Sequence, residues 1–71
     1  MDFNKSDNTI IRIEKREWNG RQFYDLRTYY YSKNVGFKPT PKGFTIPIEL
    51  FVDFVRELNE FYDKEFPKLK I

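Results

Sequence analysis

Two hydrophobic periodicities divide the chain. Across residues 8–46, apolar and polar positions alternate in short runs rich in β-branched and aromatic side chains, among them Thr9, Ile10, Ile11, Ile13, Phe23, Tyr24, Thr28 and Tyr29. Such side chains favour strands. From Pro47 onward the spacing changes to three and four, through Leu50, Phe51, Phe54, Val55, Leu58, Phe61 and Tyr62, which predicts an amphipathic helix over 47–66. Pro47 suits the first turn, where its missing N–H costs nothing. Ile46 before it is a poor N-cap, and Pro67 ends the helix. The pattern implies one α+β domain over 1–71, with residues 1–7 a flexible leader, 8–46 a sheet, 47–66 the helix and 67–71 a frayed tail.

The sheet has internal punctuation. Asn19-Gly20 predicts a two-residue type I′ turn, because both central residues need positive φ. One strand is expected at 8–18 and the next at 21–31. Ser32-Lys33-Asn34 reads as a loop, followed by a short third strand at 35–38. Pro39 and Pro41, which cannot donate to a ladder, interrupt it. Lys42-Gly43 is expected to turn the chain into a fourth strand at 44–46, giving a four-stranded antiparallel sheet followed by one C-terminal helix.

Counting outward from the turn pairs Trp18 with Arg21, Arg16 with Phe23, Glu14 with Asp25, Arg12 with Arg27 and Ile10 with Tyr29. Alternation then sorts the side chains. One face carries Arg12, Arg16, Trp18, Arg21, Phe23, Arg27 and Tyr29 around Glu14 and Asp25. The other carries Ile11, Ile13, Tyr24, Leu26 and Thr28, and is expected to pack on the helix. Like charges directly across a ladder destabilise it, so Arg12 opposite Arg27 needs neutralising, either by Glu14 and Asp25 or by an anionic ligand. Basic residues interleaved with rings are the makings of a site for single-stranded nucleic acid, where bases stack and phosphates pair with cations.

Composition removes other classes. With 71 residues, folding buries only roughly 60% of the unfolded chain's surface. No cysteine or histidine is present, which excludes disulfides, the usual structural zinc sites and the Ser-His and Cys-His nucleophile pairs. A second copy of the chain is the remaining source of buried area. The helix supports it, being apolar over more than one stripe, with Phe51, Phe54, Val55, Leu58, Phe61 and Tyr62 the candidate dimer interface.

A net charge of +2 does not by itself select an anionic partner. No apolar run approaches a membrane span, and the polar start is no signal peptide, so a cytoplasmic, nucleoid-associated protein is expected. Arginines around Glu14 and Asp25 would keep both ionised, which makes neither a good general acid. Asp53, Glu57 and Glu60 read as a solvated helix face. Neither an enzyme, a metal site nor a cofactor is expected.

The strand motif Tyr24-Asp25-Leu26-Arg27-Thr28-Tyr29-Tyr30 and the segment from Lys38 to Pro47, KPTPKGFTIP, stand in this order with a short polar loop between them and a helix after them. This arrangement resembles the single-stranded-DNA-binding domain of the transcriptional coactivator positive cofactor four and its small bacterial and phage relatives, the YdbC-like proteins. The likeness covers about residues 9–60. It implies a curved sheet, a helix-mediated homodimer and single-stranded DNA as ligand, with RNA an open alternative and the transcription or replication machinery as possible further partners.

The same likeness implies that Trp18 stacks on a base, that Arg21 and Arg27 are basic contacts, that Tyr30 takes the place of a stacking tryptophan, and that Lys38 and Lys42 meet phosphate. Pro41 and Asn19 stand where the family often has basic residues. Strict alternation sets Tyr30 on the face opposite Arg27 unless a bulge re-aims it. An acidic peptide bound by the same basic and aromatic face is the alternative reading.

Overall fold

The computed structural model describes residues 1–67. Four strands, β1 (Asp2–Ser6), β2 (Thr9–Trp18), β3 (Arg21–Ser32) and β4 (Gly36–Pro47), follow one another as an antiparallel meander, and α1 (Ile48–Glu65) comes after them. Asn19 and Gly20 take φ of 52° and 77°, the positive pair that the tight turn between β2 and β3 requires. From there the register runs as counted, from Trp18 opposite Arg21 to Ile10 opposite Tyr29.

Strand placement departs from expectation in two places. Residues 1–7, expected as a flexible leader, contain β1, which pairs with β2 from Asp2 opposite Arg12 to Ser6 opposite Thr9. A guanidinium anchors it: Arg12 Nε and Nη2 donate to the Asp2 carboxylate at 2.9 and 3.2 Å. The Ile13 amide donates to the Met1 carbonyl at 2.9 Å, and the hydroxyls of Ser6 and Thr9 lie 2.6 Å apart at the other end. The segment DFNKS has too little apolar content to announce a strand, since its anchors are polar.

The strands expected at 35–38 and 44–46 are one strand, β4, whose pairing with β3 shifts between Tyr29 opposite Pro39 and Arg27 opposite Gly43. Two extra residues therefore bulge from β4, and Lys42-Gly43 lies within the strand and does not turn it. Both prolines fit because β4 is an edge strand and its outer N–H groups need no partner. Gly43 is required for a different reason. A Cβ there would stand 2.6 Å from the Leu26 carbonyl oxygen and 2.9 Å from Arg27 Cα. Gly43→Ala is expected to destabilise the fold on the order of 1 kcal/mol through overpacking against backbone, measured as a lower urea midpoint; an unchanged midpoint would show that the bulge relaxes freely.

The helix begins one residue later than predicted. Pro47 is extended (φ −54°, ψ 145°), pairs with Phe23 as the last residue of β4, and occupies the N-cap without a side-chain hydrogen bond. At the other end the Phe66 amide still donates to the Tyr62 carbonyl before Pro67 ends the pattern. Apart from Pro67, the tail expected at 67–71 lies outside the described residues.

α1 packs on the predicted face through its first two turns. Phe51 meets Tyr24 with ring centroids 4.0 Å apart, Phe54 meets Phe44 edge-on at 6.2 Å, and Ile46 is buried beside them. Phe51 and Phe54, expected at a dimer interface, thus cover the sheet of their own chain. Beyond Phe54 the stripe continues through Val55, Leu58, Phe61 and Tyr62, all exposed, and no helix residue is buried.

Candidate nucleic-acid interface

The face opposite the helix is built in three parts. At its centre, guanidinium groups roof a pair of apolar side chains. Tyr29 is 4% exposed because the Arg12 Cζ lies 4.5 Å over its ring centroid and Arg16 Nη2 donates to its hydroxyl at 3.0 Å. Its cross-strand partner Ile10 is equally buried. The basic face is therefore not wholly open, as alternation alone suggested: it encloses a small core of its own.

Carboxylates stitch that roof together. Asp25, 5% exposed, is held by Arg27 Nη2 at 3.1 Å and Arg16 Nε at 3.4 Å. Glu14 meets Arg16 at 3.0 Å and Arg12 at 3.7 Å. The like-charged pair of Arg12 and Arg27 is thus neutralised from within the chain by Asp2, Glu14 and Asp25. Arg27 does more than pair. Its Nη1 donates to the Thr40 carbonyl at 2.9 Å, while the Thr40 hydroxyl donates to the Thr28 carbonyl at 2.8 Å and accepts from the Lys42 amide at 3.2 Å. These bonds hold the bulge that presents Lys42.

Asp2 is the participant the sequence reading missed, because an acid within an unpatterned leader carries no signal of its partner. The Arg12 hydrogen bond holds its carboxyl below the ordinary carboxylate range and raises the Arg12 guanidinium in turn. The hydrogen bond to Tyr29 likewise raises Arg16. A carboxyl depressed in the folded state stabilises above its unfolded value and loses that contribution as pH falls through the depressed value. Protection of the Ile13 amide, which bonds to Met1, should therefore fall in acid, relative to intrinsic exchange, ahead of the β2–β3 ladder, and Asp2→Asn should remove this pH dependence. Protection that is independent of pH in the unsubstituted protein would count against the Asp2 anchor.

The hairpin tip forms the second part. Trp18, 70% exposed, stands opposite Arg21, next to Arg16 and Phe23 along the same face. An open cleft of about 910 Å³ adjoins it, lined by Trp18, Arg21 and Phe23 from the sheet and by Thr45, Pro47 and Glu49 where β4 passes into α1. Among the described residues, Arg21, Lys38 and Lys42 take no ion-pair partner.

The third part is the far end of β3. Tyr30 pairs with Thr9 on one side and Lys38 on the other, with β2 in unbroken register. Because the bulge lies in β4 and not in β3, it does not re-aim Tyr30. Tyr30 and Lys38 share the helix-side face. Of the expected contact residues, Arg12, Arg16, Trp18, Arg21, Phe23 and Arg27 are brought onto one face, Lys42 rides on the bulge, and Tyr30 and Lys38 are not brought together with them.

No set of three or more acidic residues close enough to hold a metal occurs among the described residues, and no described helix is long and apolar enough to cross a membrane.

Comparison with known proteins gives consistent matches. The model of the family described as Transcriptional Coactivator p15 (PC4) matches residues 3–57. The crystal structure of a PC4 homolog from Burkholderia pseudomallei is 31% identical, with 87% of this chain and 84% of that chain covered and a TM-score of 0.79. The bacteriophage T5 homolog of the eukaryotic coactivator PC4, implicated in recombination-dependent DNA replication, is 22% identical over 100% of this chain and 93% of its own, with a TM-score of 0.61. The MoSub1–DNA complex is 18% identical over 100% and 86%, with a TM-score of 0.63. These last two show a shared fold. No curated protein matches the chain.

Proposed function

The chain belongs to the transcriptional coactivator p15 (PC4) family, and from that premise we propose that it is a homodimeric, non-enzymatic binder of single-stranded DNA with little sequence preference, acting where strands are exposed in transcription, replication or repair. The observation that carries this reading is Trp18, a large exposed ring set beside Arg21 and Phe23 on a face otherwise roofed by guanidiniums. Water is a poor neighbour for an indole. A base supplies a flat apolar partner, and duplex DNA keeps its base faces hidden, so the ring selects single strands.

Cations divide by how firmly they are already held. Arg12 and Arg27 are committed to Asp2, Asp25 and Thr40, so they shape the face. Arg21 and Lys42 are available to phosphate. Each of Arg21→Ala and Lys42→Ala should reduce the slope of log K against log salt by about 0.7 on a single strand, one phosphate's worth. Arg27→Ala should instead lower the unfolding midpoint, since it releases the bulge.

Fluorescence anisotropy with a labelled single strand, competed by unlabelled duplex and by polyglutamate, tests the proposal. Displacement by single strand well ahead of both competitors is expected. Polyglutamate competing equally would favour the acidic-peptide reading.

A further inference from the structure

The basic face does not stop at the buried centre. Beyond Tyr29, alternation brings Tyr31 back to the same side, and its cross-strand partner Phe37 stands with it. Their rings meet edge-to-face, with centroids 5.4 Å apart, and remain 45% and 39% exposed. Arg12 links this pair to the centre, its Cζ lying 4.5 Å from the Tyr29 centroid and 6.0 Å from that of Phe37. Lys33 adds a positive charge in the adjoining turn. The face thus repeats at its far end what it has at the hairpin tip, exposed rings next to guanidinium and ammonium groups.

We infer that Tyr31 and Phe37 form a second base-stacking platform, on the same face as Trp18, so that one single strand runs along β2 and β3 with bases engaged at both ends. This rests on the single-strand reading of the Trp18 face. From Arg21 to Tyr31 the strand runs about 33 Å at roughly 3.3 Å per residue, so the two platforms engage well-separated bases of one strand. Tyr30, the ring that the family resemblance marks for stacking, faces the helix side and serves this path poorly. Phosphates between the platforms pass over Arg16 and the bulge bearing Lys42.

A photo-cross-linking experiment on the full-length chain tests the inference. Mixed-sequence single strands of about 20 nucleotides, each carrying one 5-iododeoxyuridine at a different position, are bound, irradiated and mapped by peptide mass spectrometry. Cross-links to Trp18 and to Tyr31 or Phe37, from substituted positions far apart in the strand, are expected. Cross-links at Trp18 together with Tyr30, or at Trp18 alone, would overturn the second platform and leave the single-strand reading standing. A chain that does not retain the strand at all overturns both.

Substitution gives an independent readout. Tyr31→Ala and Phe37→Ala should each weaken strand binding roughly tenfold, the effect of removing one stacked ring, while Tyr31→Phe binds as the unsubstituted protein does. Unfolding midpoints separate lost stacking from lost structure. Alanine variants that remain folded and bind with undiminished affinity would remove the platform.

Discussion

Trp18→Ala is expected to weaken binding of a single strand by roughly 1 to 3 kcal/mol while leaving the thermal midpoint of the free protein where it was. The two halves of this expectation have different causes. Binding falls because the indole is the largest exposed ring of the face and offers a base a stacking surface at the tip of a rigid hairpin. Stability is spared because a ring that is 70% exposed has little burial to lose. Neither turn residue is touched, so the register of β2 and β3 is kept. Trp18→Phe should recover most of the affinity. A Trp18→Ala protein that fails to fold would place the ring in a core, and the face assignment would fall with it.

Leu58→Asp is the second large effect, and it reads assembly. Leu58 follows Phe51 and Phe54 on the same helical stripe, yet it is 53% exposed, whereas those two rings pack on Tyr24 and Phe44 of the sheet. In an isolated chain an aspartate there would be solvated, and exposed substitutions of this kind usually change stability by no more than about 0.5 kcal/mol. In a dimer that covers the stripe, an unpaired carboxylate would be buried, at a cost of about 3 to 5 kcal/mol. Sedimentation equilibrium should therefore show dissociation or unfolding in the variant and a dimer in the unsubstituted protein. A folded Leu58→Asp dimer of unchanged stability would exclude this stripe as the interface.

Phe44, Val55, Phe61 and Tyr62 give the same indication as Leu58. Each is a large apolar side chain left exposed on the helix or beside it. A chain of 71 residues has little core to spare. Covering this continuous patch with its own copy would make a common core from two half-covered helices, which is the reason to propose a dimer.

Legibility in the sequence followed the range of the interactions involved. Asn19-Gly20 fixed a turn through backbone conformation alone, and the period-two pattern carried the register from Trp18 out to Ile10 without error, so the membership of the basic face around the hairpin could be read directly. The helix was legible for the same reason, its apolar spacing being local. What escaped was decided at long range by polar groups. β1 exists because Asp2 meets Arg12, a partner ten positions away that no periodicity announces. The bulge at 40–42 is fastened by the Arg27 guanidinium on the Thr40 carbonyl and by the Thr40 hydroxyl on the Thr28 carbonyl, bonds that form only after β3 and β4 have paired.

The candidate site shows the same division. Trp18, Arg16, Arg21 and Phe23 lie where alternation puts them, but alternation has no knowledge of which guanidiniums are already occupied. Arg12 and Arg27, as opposed like charges, left two readings open: neutralisation by Glu14 and Asp25, or an anionic ligand. Their carboxylate partners answer that need from within the chain, so the features that favour nucleic acid are the exposed ring and the cations without ion partners at the tip and on the bulge.

Trp18 is the chain's only tryptophan, so its fluorescence reports the proposed site without ambiguity. Titration with a mixed-sequence single strand of about 20 nucleotides, beside a duplex of the same sequence, should quench that emission strongly for the single strand, at lower concentration than for the duplex and less tightly as salt rises. Emission that is unchanged by saturating single strand, or quenched equally by duplex, would contradict base stacking on this face.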